Sequence, residues 1–264
     1  MPYASVYRNK YFNCTFYEIP KAVYSLEGLP NQPFRVTDPG IKSYTGTLCV
    51  DLSNDVMRQG TFKTAHPGTI TFKPKPDTSP FTGDKVCAKQ MYFRKGKAGA
   101  MTRMKGQDEL KSLSVKANCF RWASILLDFT YQFIAREVKT RGEPPPSCPI
   151  PSLRFARAMI AIVEGSEKEK VWLVEEWLDV DDSKRPFTKY IDNRFASPCL
   201  PETAPLKAHQ TAAFLVFAQH VQWEKTKWIA FTSDYQGVGN ILTDPQITTD
   251  PYVMPAFVSS ILPY

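Results

Sequence analysis

The 264-residue chain has no long apolar run, no closely spaced cysteine pair and no internal repeat. A bilayer-spanning helix needs roughly 18 or more consecutive apolar residues, and no stretch reaches that. The opening residues, MPYASVYRNKYF, lack the apolar core of a secretory signal. Cys14, Cys49, Cys87, Cys119, Cys148 and Cys199 are widely spread and form no C-x-x-C unit. That argues against a zinc ribbon and against a dense disulfide scaffold. The expectation is a reduced, soluble, cytoplasmic protein whose thiols are mostly buried as small hydrophobes.

What is present is enough apolar material for a core: 43% of residues are hydrophobic and 13% aromatic. The length suits one large domain or two lobes around a shared cleft. Basic residues outnumber acidic ones, 33 to 26, for a formal net charge of +7. That balance fits an anionic ligand, whether nucleic acid, nucleotide phosphate or acidic peptide, and does not choose among them. The densest basic run, Arg94 to Lys105, has no interleaved aromatics, so base stacking is not indicated. It reads as a solvated, mobile loop, and nucleic acid as a partner rests on charge alone.

Residues 1–45 read as an extended lead-in with weak strands. Thr47 to Leu52, Thr69 to Lys73 and Lys85 to Phe93 are strand-like runs punctuated by Gly and Pro, which predicts an antiparallel meander. Leu110, Leu113, Ala117, Phe120, Ala123, Leu127, Ile134 and Val138 recur at helical spacing, predicting one helix over Gln107 to Thr140. The five prolines of GEPPPSCPIP (142–151) must end it. Phe155 to Val163 and Lys170 to Leu178 predict a hairpin, and Asp179 to Arg185 a loop. Thr203 to Glu224 predicts a second helix with Leu206, Ala213, Phe217 and His220 along it, buried on more than one side. Lys227 to Thr232 predicts a strand. The elements are segregated, so the fold class is α+β.

That strand leads into SDYQGVGNILTDPQI, residues 233–247. Asp234, Gln236 and Asp244 are separated by Gly237 and Gly239, which permit the positive φ of a fold-back. Two carboxylates and an amide brought together this way can hold a hard divalent cation. The same residues also suit a hairpin whose Asp and Asn side chains merely shape turns.

The run DYQGVGNILTDPQI resembles the signature of the alpha-kinase family, atypical protein serine/threonine kinases. Other segments fall in that family's order. KVCAKQMY is similar to its ATP-contacting strand, with Lys89 as the matching lysine. VWLVEEWL resembles the strand that enters the adenine hinge, with Glu175 matching and Trp177 beside it. PFTKYIDN resembles the stretch that puts Lys189 and Asn193 near the nucleotide. RQGTFKTAH resembles its phosphate loop, with Gly60 and, in place of the usual arginine, Lys63. A lysine there keeps the charge but loses the bidentate fork. FAQHVQW resembles the helix with a zinc-binding histidine, matched by His220, 14 residues before Asp234.

The resemblance implies a two-lobed kinase-like fold: an antiparallel-sheet N-lobe with a long helix, then a smaller mixed C-lobe. It implies a lead-in over 1–45, an N-lobe over 46–176 and a C-lobe over 177–264, with Mg-ATP between the lobes. ATP and Mg²⁺ are the implied cofactors, and a protein or peptide the implied substrate. Lys89 would hold the α- and β-phosphates. Asp234 would meet the substrate hydroxyl. Gln236 and Asp244 would ligate Mg²⁺. The family's zinc site also needs a second histidine and two cysteines after DPQI. The tail here has no His and no Cys, so zinc is not expected and His220 would be vestigial.

For each residue a plainer reading stands beside the implied one. Lys89 could snorkel to a surface, Glu175 could be an exposed strand acid, and His220 a packed helix histidine. Glu109 could pair with Lys89, or lie on a solvated face. At the level of the whole chain, the alternative to an active kinase is an impaired pseudokinase serving as a nucleotide-binding or scaffold protein.

Overall fold

The computed structural model describes residues 9–20, 33–53, 57–60, 62–94, 101–165 and 170–249. Residues 95–100 of the basic run and the tail from 250 onward lie outside them, as do residues 1–8 of the lead-in. The chain divides into two units. The first takes its described residues from Met1–Ile19, Phe34–Ala117 and Arg157–Trp177. The second takes them from Pro20–Pro33, Asn118–Ala156 and Leu178–Tyr264.

In chain order the first unit contains β1 (Asn9–Glu18), β2 (Ser43–Asp51), β3 (Arg58–Gln59), β4 (Lys63–Phe72), β5 (Lys85–Arg94) and β6 (Met101–Arg103). It then contains the first turns of α1 (Gly106–Arg141). The second unit holds the rest of α1 and β7 (Arg154–Phe155). The chain returns to the first unit for β8 (Ala158–Val163) and β9 (Val171–Glu176). The remaining elements are in the second unit: β10 (Thr188–Lys189), α2 (Leu206–Lys225), β11 (Ala230–Ser233), β12 (Gln236–Val238), β13 (Ile241–Thr243) and β14 (Gln246–Thr249).

The sheet of the first unit runs β3-β4-β2-β1-β8-β9-β5-β6, and β4 also pairs with β5. Because β4 joins β2 through Gly68–Phe72 and β5 through Lys63–Thr69, the sheet closes on itself. Side chains alternate across a strand. One face therefore collects Cys14, Phe16, Leu48, Val50, Ile70, Val86, Ala88, Met159, Ala161, Trp172 and Val174 as a buried core. The opposite face carries Lys63, Lys89 and Glu175.

Within the lead-in, residues 9–18 form a full strand of the sheet: β1 pairs with both β2 and β8, and Cys14 and Phe16 are fully buried. The three runs read as a meander do pair in chain order, β2 with β4 and β4 with β5, both antiparallel, while β8 and β9, more than 100 residues after β1 in sequence, sit between β1 and β5. Residues 118–156 group with the second unit.

The long helix is as read, one residue longer at each end. Asp108 and Glu109 stand in its first turn and Lys139 and Arg141 in its last, complementing the helix dipole. Gly142, at φ 84°, takes the left-handed cap and its N–H donates to the Val138 carbonyl at 2.9 Å. The prolines that follow cannot continue the helix.

In the second unit the four-stranded sheet runs β10-β12-β13-β7, and β11 pairs with β14. Helix α2, read as buried on more than one side, buries one face only. Leu206, Ala213, Phe217 and His220 are exposed, whereas Thr211, Ala212, Phe214, Leu215, Ala218, Gln219, Val221 and Gln222 are buried. The stripe chosen by spacing was a real helical stripe, but the buried one contains two glutamines with specific partners. The cysteines also differ from expectation: Cys14 and Cys119 are buried, Cys49 and Cys87 half-buried, Cys148 and Cys199 exposed.

Candidate active site

Each unit carries its own share of the candidate residues. In the first, Lys89 lies on β5 opposite Ala65 of β4 and Leu173 of β9. Its Nζ is 2.7 Å from Oε1 of Glu175, and both side chains are almost withdrawn from water, 11% and 3% exposed. Neither snorkels to a surface nor stands as a solvated acid. A buried ion pair of this kind holds its members in place, because parting them leaves an uncompensated charge. The Glu175 carboxylate thus serves the lysine, while Trp177, the next aromatic along the strand, is 40% exposed.

Lys63 begins β4 on the same face and is buried. Gly60 closes the β3–β4 turn, its N–H donating to the Lys63 carbonyl at 2.8 Å. The Tyr92 hydroxyl donates to the Gly60 carbonyl, so two contacts tie this loop to β4 and β5.

Glu109 does not face solvent, and its ion-pair partner is the guanidinium of Arg103. It is fully buried, and Nε and Nη2 of Arg103 donate to its two oxygens at 3.1 Å each. The Val171 N–H adds a third contact at 3.3 Å. Burial raises the Glu109 pKa above the ordinary carboxylate value, and Arg103 opposes that rise. Arg103 also stacks over the Trp172 ring, 4.6 Å from its centroid. Sequence spacing missed this cluster because Arg103 lies in a run that looked like solvated loop.

In the second unit the signature segment folds as a hairpin. Gln236 pairs with Thr243, Gly237 with Leu242 and Val238 with Ile241. Gly239 makes the turn at φ 60°. Gly237 is required for another reason: a Cβ there would be driven into the Ile241 carbonyl. The positive φ expected of both glycines is instead shared by Gly239 with Asp234 (60°) and Asp244 (52°). Asp tolerates the left-handed region at a cost of about 1–2 kcal/mol, so both carboxylates sit at bends that flank the hairpin.

Asp234 is almost buried, and its two oxygens are taken by different donors. Lys189 Nζ pairs with Oδ1. Gln246 Nε2 donates to Oδ2 at 3.0 Å. Lys189 is brought there by β10, whose partner in register is Gln236. Asn193 is exposed, and its Nδ2 donates to Gln246 Oε1 at 3.1 Å. The backbone around Asp234 is equally tied down. Tyr190 and Ile191 N–H groups both donate to the Tyr235 carbonyl, at 2.9 and 3.2 Å. Tyr235 is fully buried against Phe155, their rings stacked 6.3 Å apart, and burial pushes its phenol up to about 12.

Beneath this loop, α2 supplies Gln219 and Gln222. Gln219 Nε2 donates to the Thr232 carbonyl at 3.0 Å, and Gln222 Oε1 accepts the Thr232 N–H at 2.9 Å. Gln222 Nε2 also donates to the Thr130 and Tyr235 hydroxyls. These two glutamines and Gln246 were not assigned roles from sequence. The available signal was a pair of amides inside the apolar run FLVFAQHVQW.

Gln236 and Asp244 offer an amide and a carboxylate on neighbouring arms of the hairpin. Oxygen donors in small number suit Mg²⁺, which fills its remaining positions with waters and phosphate oxygens. Among the described residues there is no cluster of three or more His, Cys, Asp or Glu able to hold a metal. His220 lies on the exposed side of α2.

The first unit thus carries a closed antiparallel sheet with a buried lysine–glutamate pair, and the second a Gly-turned acidic hairpin. The family model described as the alpha-kinase family matches residues 58–254, and the chain belongs to that family. Solved structures with the same fold include a novel alpha kinase from Entamoeba histolytica. It is 15% identical, with a TM-score of 0.56 over 94% of this chain and 81% of that one. The alpha-kinase domain of myosin heavy chain kinase A, in complex with AMP, is 14% identical, with a TM-score of 0.49 over 91% and 85%. No curated protein sequence matches the chain. Among the described residues no helix is long and apolar enough to cross a membrane.

Proposed function

We propose that the chain transfers the γ-phosphoryl group of ATP to a serine or threonine hydroxyl of a protein substrate. The observation that carries this reading is the carboxylate of Asp234, held by Lys189 and Gln246 at the foot of the hairpin that bears Gln236 and Asp244. Phosphoryl transfer asks mainly for positioning and charge neutralisation, and this set supplies both. Asp234 orients the substrate hydroxyl and accepts its proton as the oxygen bonds to the γ-phosphorus. The bond from that phosphorus to the bridging oxygen breaks, and ADP leaves. Lys89, steadied by Glu175, meets the α- and β-phosphates. Gly60 and Lys63 cover them, Trp177 lines the adenine, and Asn193 stands near the nucleotide. Gln236 and Asp244 would hold Mg²⁺, which neutralises phosphate charge when bound.

The test is transfer of labelled phosphate from Mg-ATP to protein and peptide acceptors, alongside nucleotide binding by calorimetry. Asp234→Asn is expected to lower transfer by about 100-fold or more while Mg-ATP still binds. Binding without transfer by the wild-type chain would instead assign it as a nucleotide-binding scaffold. Absence of both would overturn the reading.

A further inference from the structure

We propose that Gln246 is a positioning residue for Asp234, and that Asn193 acts through it by holding the far end of its amide. The inference rests on the reading of Asp234 as the group that meets the substrate hydroxyl.

The geometry begins with register. Strands β11 and β14 pair so that Ser233 stands opposite Gln246, which places the glutamine beside the residue that follows Ser233. Its Nε2 reaches Asp234 Oδ2 at 3.0 Å. A second side-chain rung, from Thr248 Oγ1 to Ser233 Oγ at 3.1 Å, holds the same pair of strands together.

A primary amide has two chemically opposite ends, and only the NH₂ end can donate to a carboxylate. The carboxylate selects that end, and Asn193 holds the other, its Nδ2 donating to Gln246 Oε1 at 3.1 Å. A reversed amide would set two oxygens against each other at Asp234 and two NH₂ groups against each other at Asn193. The chain of donation therefore runs one way, from Asn193 to Gln246 to Asp234.

Lys189 occupies the other oxygen, Oδ1. An ammonium has three donors and no plane, so it supplies charge without fixing the carboxylate's rotation. The glutamine, anchored at both ends, supplies the second point that fixes it. Each carboxylate oxygen keeps lone-pair capacity beyond its present donor, so a substrate hydroxyl can still approach. The charged groups on the same segments are Lys189 on β10, the Asp192–Arg194 pair in the loop that carries Asn193, and Asp244 between β13 and β14.

The experiment compares the full chain with Gln246→Leu, Asn193→Ala and the double variant. Losing a hydrogen bond to a charged group should lower kcat about 10-fold to 100-fold in Gln246→Leu. The KM for ATP should stay within about twofold, because the amide touches the carboxylate and not the phosphates. At saturating Mg-ATP the double variant should show a kcat no lower than Gln246→Leu alone, since Asn193 has no amide left to hold. A residue that served only the stability of β14 would shift the melting temperature without this split.

A second measurement needs no activity. The side-chain amide resonances of Gln246, assigned by their loss in Gln246→Leu, should shift in Asp234→Asn and in Asn193→Ala. If they shift while the wild-type chain transfers no phosphate, the kinase reading fails and the arrangement stands. Unmoved amide resonances in both variants overturn the proposal. So does a Gln246→Leu protein with kcat within about twofold of wild type. If Gln246→Leu does not fold, Gln246→Met is measured in its place under the same criteria.

Discussion

Gln222→Leu should loosen the second unit at the point where α2 grips the loop before Asp234. Gln222 is fully buried and makes three hydrogen bonds. The one that matters most is the accepted bond from the Thr232 N–H at 2.9 Å, because Thr232 is itself buried. Leucine leaves that N–H without an acceptor, at a cost of about 1–3 kcal/mol. The donated bonds to Thr130 and Tyr235 are worth about 0.5–1.5 kcal/mol each. Thr130 still donates to the Leu126 carbonyl at 2.8 Å, which puts its loss at the low end. The sum is about 3 kcal/mol, against a total stability of roughly 5–15 kcal/mol for a domain. The assay is urea unfolding with hydrogen exchange at the Thr232 amide, since a chain of two units need not unfold in one step. Gln222→Leu should lower the midpoint and deprotect that amide. Gln222→Glu keeps the acceptor for Thr232 but buries a charge, and should be no better. In a double-mutant cycle, Thr130→Val should couple to Gln222→Leu by about 0.5 kcal/mol or more. A midpoint change below about 0.5 kcal/mol with Thr232 still protected refutes the reasoning.

Three other outcomes follow from the same kind of argument. Lys89→Met removes the ammonium paired with the buried Glu175 carboxylate and should destabilise the first unit by about 3–5 kcal/mol. Adding Glu175→Gln should recover much of that stability in a thermal melt without restoring nucleotide binding. Gly237→Ala should open the β12–β13 hairpin, because its Cβ meets the Ile241 carbonyl; Mg-ATP binding by calorimetry should fall at least about tenfold, and unchanged affinity would show that the hairpin tolerates the methyl. Cys14 is pushed up to about 12, chiefly by burial, from an ordinary 9.0. The folded form keeps the neutral thiol longer, so this contribution is whole below pH 9 and fades as pH rises from 9 to 12. Alkaline unfolding curves of Cys14→Ala should be flatter over that window. In the native wild type, thiol reagents should label Cys148 and Cys199 well before Cys14.

The parts legible in the sequence were those with strong local rules. The long helix announced itself through sustained periodicity and the proline block after it. The acidic Gly hairpin announced itself through residue types that few other structures need together. What spacing could not tell was which of two helical stripes faces inward. On α2 the stripe of Leu206, Ala213, Phe217 and His220 looked like a core and is exposed, because the inner face uses Gln219 and Gln222 to satisfy the backbone of β11. Nor could it tell that β1 lies inside the first sheet, since its partners β2 and β8 are remote from each other in sequence. The pairing of Arg103 with Glu109 crossed a short stretch that reads as solvated loop.

By itself the sequence determined the family, the two helices, most strands and the residue types of the hairpin, because periodicity, turn chemistry and a near-complete motif are local properties. Only the tertiary structure decided the partners. Lys89 belongs with Glu175, Arg103 with Glu109, and Asp234 with Lys189 and Gln246. Partner choice depends on strand register and on which faces are withdrawn from water, and both are set by contacts between segments far apart in the chain.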